Sequence, residues 1–504
     1  MRRLPALFAL LLPALTAFAG EIVVSEGESI HHALRQAREW RRTGDPRCEG
    51  GITITLRAGR YYMEEPLFVR PEDSGTAASP TVIQGETGAI VCGDPRQQHT
   101  QLWPAKGMER LLGFDTANRT ITIATPPPAQ LSMLNSRRST LEMVVHQRWA
   151  IAILRVKELR VEGDHTVVTF KEPESRLEFE HPWPQPVIDG ERGCSSFLLR
   201  TTEQRDGIEQ LVTVSGAAYV TIQNLTFEHT CWNRPLHKGH VTLQGGFALV
   251  DAYKLTENEG LPWDTGLENQ AWVERPVSAV SISDAHHVDV IGCTFRHLGA
   301  TALDYNGITS ECTISGNRFE DIGGTAILAG SFAESPREVH RPYGDLAPRC
   351  QRLYIADNTI SEAATEDWGA VAIGCGYVRD VTIAHNDVRG VNYSGICIGW
   401  GWTPLYTGME NNHIVGNRVS DFARQLYDAG GIYTLSNQPG SSIRDNIIGA
   451  PANAPYATND RAFRIYLDAR TDGFTIEGNT TGERSITRSD IGDNHPGPNL
   501  IVEE

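Results

Sequence analysis

Residues 381–388 read VTIAHNDV: Val381 and Ile383 alternate with Thr382 and Ala384, His385-Asn386 interrupts, and Val388 resumes the apolar series. This is a β-prone run cut by a turn residue. The phrase recurs as VTIQNLTF (220–227), VDVIGCTF (288–295), CTISGNRF (312–319), LYIADNTI (353–360), HIVGNRV (413–419), SIRDNII (442–448) and FTIEGNT (474–480). Its polar position falls on Asn224, Cys293, Asn317, Asn358, Asn386, Asn417, Asn446 and Asn479. Where no large insertion intervenes, successive positions lie between 24 and 33 residues apart. Such a period signals stacked coils. An Asn recurring at one turn can bond the amide of the next coil, so the column is expected to be a structural ladder and not a catalytic array.

Between these phrases lies a second set of short strands: TALDYNG (301–307), TAILAG (325–330), AVAIGCGY (370–377), GICIGWGW (395–402), GIYTLSN (431–437) and RIYLDAR (464–470). Each coil therefore holds at least two strands, and like residues should stack about 4.8 Å apart in parallel sheets. The expected fold is all-β, a parallel β-helix. Ser29 precedes Ile30, Ala33, Leu34, Ala37 and Trp40, the helical spacing of an amphipathic cap for the first coil.

The remaining segments divide the chain. Residues 1–19, with Arg2-Arg3, the run LPALFALLLPAL and Ala17-Phe18-Ala19, have the order of a signal peptide. Secretion or a periplasmic location is therefore expected. Residues 20–100 form the cap and first coils. Residues 101–205 lack the Asn phrase and suggest an inserted antiparallel β module, and 206–504 are the main helix. Within the last, FALVDAYKLTENEGLPWDTGLENQAW (247–272) is a long, lid-like interruption.

A formal charge of -17 argues against nucleic acid or an anionic membrane as partner. No span after the leader is apolar enough to cross a bilayer. The 9 cysteines contain no CxxC pair and mostly sit in apolar runs, as buried small hydrophobes do. His286-His287 point to opposite faces of a probable strand, so no shared metal site is expected. Nothing in the sequence calls for a metal or another cofactor.

Rows through Ile373, Ile398, Thr434 and Leu467 and through Val371, Ile396, Ile432 and Ile465 should face the core. Tyr433 and Tyr466 then point outward as vertical neighbours, with Asp468 beside them and Trp400 and Trp402 leaving the coil below. Aromatic rings and carboxylates together suit a sugar: rings stack on pyranose C–H faces, and carboxylates handle hydroxyls or the glycosidic oxygen. Asp428 precedes Gly430-Gly431 and Asp367 lies in EDWGA, and each reads locally as a turn residue or an acid.

The phrases DWGAVAIGCGY, YSGICIGWGW, YDAGGIYTLSNQPGSSIRDNIIG and RIYLD resemble the right-handed parallel β-helix glycosidases of glycoside hydrolase family 141 and, more distantly, family 120. The resemblance implies a carbohydrase of α-L-fucosidase or xylanase type acting on an oligo- or polysaccharide of plant-type glycans. It also implies Asp428 and Asp468 as the catalytic pair, with Asp367, Trp400, Trp402, Tyr433 and Tyr466 around the substrate. In-register stacking sets Asp468 over Leu435, so pairing with Asp428 requires a bend at Ala429-Gly430-Gly431. Without that bend, Asp367, Asp304 or Glu366 would be the alternatives. A polysaccharide lyase or uronate epimerase, or a noncatalytic glycan-binding solenoid, would use the same fold.

Overall fold

The computed structural model describes residues 20–180, 182, 184–188, 194–242, 244–257, 267–334, 337–338, 350–402, 406–452, 462–482, 486–488, 495–496 and 500–501. The segment expected to be a signal peptide, 1–19, lies outside the described residues, as does the tip of the long interruption, 258–266.

Three long sheets of 13, 10 and 11 strands wind together as a parallel β-helix. The helix Ile30–Thr43 covers the first coils, burying Ile30, Ala33, Leu34, Ala37 and Trp40, and the Ser29 hydroxyl accepts from the His32 N–H. In the ten-stranded sheet Ile373, Ile396, Ile432 and Ile465 stand in one register, as do Tyr433 and Tyr466; Ile373 and not Val371 joins this row, two residues from the expected alignment, and the inward facing of both is unchanged because two residues preserve alternation. The isoleucines enter the main apolar core. No helix among the described residues is long and apolar enough to cross a membrane.

The ladder forms at the turn the sequence marks. Asn317 donates its backbone N–H and its Nδ2 to Asn358 Oδ1, both at 3.0 Å. The same double bond recurs from Asn358 to Asn386, Asn386 to Asn417, Asn417 to Asn446 and Asn446 to Asn479. Each Nδ2 also reaches a strand carbonyl, so these buried amides are fully used. Asn224 departs from the column. Register pairs Gln223 with Ile291 and Thr226 with Thr294, so buried Leu225 stands over Cys293 while Asn224, exposed at φ 56°, occupies the preceding turn position. Near the cap the ladder is replaced by an apolar contact.

Eight strands from His99 to Thr202, with His240–Val241 as the ninth, build an antiparallel sheet. Its Met143, Val145 and Leu154 belong to the same buried cluster as Phe247, Phe332, Trp400, Tyr433 and Tyr466 of the coils. The outer face of the ten-stranded sheet is thus roofed, and outward-pointing side chains there are not surface side chains. The module is also fastened by charge: Glu366 meets His99 at 3.0 Å, Arg200 at 3.5 Å and Arg96 at 4.0 Å. Burial opposes the charge on Glu366, but His99, Arg200 and Arg96 together hold its carboxyl down at about 2. The 247–272 interruption is a β-hairpin, Ala248–Glu257 against Leu267–Glu274, within a four-stranded sheet.

All 9 cysteines are free thiols, and Cys293 and Cys312 are buried in the apolar core.

Candidate active site

Asp428 sits at the entrance of the strand Ala429–Thr434 with φ 60°, a left-handed conformation that Asp tolerates better than most residues. Asp468 follows the strand Ala462–Leu467, and its N–H bonds Thr434 O, so it stands level with Leu435 as register requires. The two acids enter at opposite ends of adjacent strands. Two neighbouring tyrosines nevertheless connect them: the Tyr466 hydroxyl donates to Asp428 Oδ1 at 3.0 Å, Tyr433 holds Asp468, and the two rings meet edge-on. The required bend is present. A Cβ on Gly430 would lie 2.6 Å from Ile432 O and 3.1 Å from Tyr466 Cβ, a turn that only glycine can make.

Tyr433 donates to Asp468 Oδ2 at 2.5 Å and lies edge-on to Tyr466, with centroids 5.3 Å apart. Asp468 keeps part of its surface open, as an acid that meets substrate must, but the protein around it excludes most water. That desolvation raises its pKa. The Tyr433 hydrogen bond works the other way, and the negative charge of Asp428 raises it further. A carboxyl raised in this way beside a second carboxyl is the environment that a general acid needs.

Tyr393 completes the base of the site and was not among the sequence candidates. Its hydroxyl donates to Asp428 O at 3.1 Å and accepts from Gln244 Nε2 at 3.0 Å. The signal was available: Tyr393 lies three residues before Ile396, as Ala429 lies three before Ile432, so the two are stacked. The inserted module reaches the same turn. Arg148 O accepts from the Tyr427 N–H at 3.2 Å, and His146 Nε2 donates to Gln425 O at 2.8 Å.

The other sequence candidates are placed elsewhere. Trp400 is 4% exposed and packed against Phe247, Phe332 and Trp402, so its face is covered by protein; the expectation that it stacks on sugar is corrected to a core role. Tyr433 and Tyr466, 5% and 6% exposed, offer hydroxyls to the acids instead of open faces to a ring. Trp402 is partly exposed beside Trp400. Asp367 is two coils away, its Oδ2 3.0 Å from His240 Nε2 and its Oδ1 accepting from Gly369 N–H. Asp304 is gripped by Arg275 through two bonds, and Glu366 belongs to the clamp described above.

One group among the described residues has the spacing of metal ligands: Cys92 Sγ, His229 Nδ1 and Glu228 Oε1 lie 3.7 to 3.9 Å apart. Arg60 and Arg296 both bond Glu228, however, so its charge is already neutralised by protein cations.

Against known proteins, residues 96–211 match the model described as GH141 insertion domain. A solved structure described as a glycoside hydrolase is 30% identical, with 96% of each chain covered and a TM-score of 0.84. A lacto-N-biosidase of family GH136 from Eubacterium ramulus is 10% identical over 96% of this chain and 68% of that one, with a TM-score of 0.40. No curated protein matches.

Proposed function

The chain belongs to the glycoside hydrolases that carry the family 141 insertion domain, and we propose that Asp428 and Asp468 are the pair with which it cleaves glycosidic bonds. The observation that carries this reading is the tyrosine pair, Tyr466 on Asp428 and Tyr433 on Asp468 with their rings edge-on, which brings the two carboxyls beside one another although the strands deliver them from opposite ends. Asp468, raised by burial and by its neighbour's charge, is protonated where an ordinary Asp is not, and so gives its proton to the leaving glycosidic oxygen. Asp428, fixed through its backbone by Tyr393 and its side chain by Tyr466, attacks the anomeric carbon as carboxylate.

The substrate is an α-L-fucoside or xyloside linkage of a plant-type glycan, and the protein works after export through the leader at residues 1–19. The chain's negative charge and the aromatic-acid composition of the site support a neutral sugar. The test is chromophore release from an aryl α-L-fucoside, β-xyloside and wider panel by the mature protein and its Asp428→Asn and Asp468→Asn variants. Turnover abolished in both folded variants supports the assignment. Turnover retained in either removes that residue from it.

A further inference from the structure

A cavity of about 280 Å³ lies away from the acid pair. It is walled by the segment running from Trp232 to Ala248 and by the turns that lead into three earlier strands of the ten-stranded sheet, at Thr301, Gly324 and Ala370. Those turns belong to the same column as the one bearing Asp428. Register carries Ile373 to Ile396 to Ile432, and therefore Ala370 to Tyr393 to Ala429. The near wall of the cavity is thus two coils, or ~10 Å, below the residue next to Asp428. The coil between them presents Tyr393, whose hydroxyl links Gln244 to the Asp428 backbone. Cavity and acids thus lie on one column of turns.

The lining has unspent hydrogen-bonding capacity. His240, 1% exposed, turns its Nε2 to Asp367, and among the described residues its Nδ1 is buried without a partner. Arg234 bonds Glu274 and Leu249 O, but its Nε–H is likewise buried and unpaired among the described residues. The arginine Nε–H needs an acceptor and the imidazole Nδ1 a hydrogen-bonding partner, and a hydroxyl, which both donates and accepts, can serve either. Trp232, edge-on to His240 at 4.8 Å, adds apolar surface, and Glu209 and Glu274 balance Arg234 and Lys238, so the cavity has no strong net sign.

We propose that this cavity is a distal subsite that holds a neutral, hydroxyl-bearing sugar ring of the same glycan whose scissile bond lies at Asp428 and Asp468, with His240 and Arg234 as its hydrogen-bonding residues. The subsite rests on the hydrolase reading of the acid pair. The inserted module builds it in part: His240 is a strand residue paired with Ile153, and Gly239 lies so close to Glu174 that a Cβ there would meet Glu174 Cγ at 2.6 Å. Asp367 is then a positioning residue that fixes the His240 ring.

The experiment uses the full mature chain in an Asp428→Asn background, titrated calorimetrically with xylo-oligosaccharides of increasing length, with fucosylated oligosaccharides and with the corresponding monosaccharides. Affinity should rise at least tenfold once the oligosaccharide is long enough to reach the cavity, and Arg234→Gln should remove that increment while leaving the affinity for shorter ligands. In the active chain the same substitution should lower the ratio of kcat/KM for long over aryl substrates by a similar factor. Lys238→Gln, at the exposed rim, gives a smaller loss of the same kind should Arg234→Gln lower the melting temperature. A length increment untouched by both variants overturns the subsite, as does an equal loss on long and short ligands. Failure of the hydrolase reading is seen separately, as absence of turnover by the unsubstituted protein, and does not alter the binding result.

Discussion

Two buried polar columns run through this β-helix, and they differ in one respect. In the Asn ladder each coil offers the same residue to the next, so that Asn358, Asn386, Asn417, Asn446 and Asn479 repeat one pattern of bonds. At the acid corner every coil offers a different residue: Tyr393, then Asp428 with Tyr433, then Tyr466 with Asp468. Repetition satisfies each buried group at every step and costs the fold nothing in specificity. The unrepeated corner leaves two carboxyls competing for a proton beneath a roof of inserted strands. In a solenoid, the polar position that breaks the repeat is where chemistry is to be sought.

The contrast can be broken most severely at the acids themselves. Asp428→Asn or Asp468→Asn should lower kcat by roughly 10²- to 10⁴-fold with the melting temperature little changed, measured on the best aryl glycoside. Asn386→Ala makes the opposite test. It strips the acceptor from the Asn358 N–H and Nδ2, costing about 3 kcal/mol in chemical denaturation, while kcat per folded molecule stays as it was. A ladder variant that lost activity without losing stability would erase the distinction.

A smaller effect is expected from Tyr466→Phe, which removes the hydroxyl that holds Asp428 and should reduce kcat roughly tenfold with little change in KM. The smallest concerns pH. Tyr433 donates to the Asp468 carboxylate and so opposes the rise in its pKa; without that bond the proton is held more tightly. Tyr433→Phe should therefore move the alkaline limb of the kcat/KM profile to higher pH, and a downward movement would contradict the assignment of Asp468 as the acid. The same raised pKa means that the native state binds more protons than the unfolded chain. Asp468 therefore favours folding below the ordinary Asp range and disfavours it as pH rises through the folded pKa.

Much of the fold was legible because it is written once per coil. The isoleucine rows and the Asn phrase each recur often enough for alternation to assign their facing. Asn224 was misplaced by one residue because a single coil carries no internal check on register, and Leu225 occupies its place only through contacts with the cap end. The acid pair was reachable from the resemblance and its bend from Gly430-Gly431. The burial of Trp400 was not, since Phe247 and Phe332 come from segments outside the repeat. For the same reason the His240 cavity was invisible: its walls meet through a strand pairing with the inserted module, which no periodicity announces.

The most direct test is the titration of Asp468 followed by carboxyl carbon NMR in the unsubstituted protein and in Asp428→Asn. The account predicts a midpoint above the ordinary Asp value in the first and a lower one in the second, since the neighbouring negative charge is gone. A midpoint in the ordinary range, unmoved by the substitution, would show two carboxyls that do not sense one another and would contradict the pairing on which the mechanism rests.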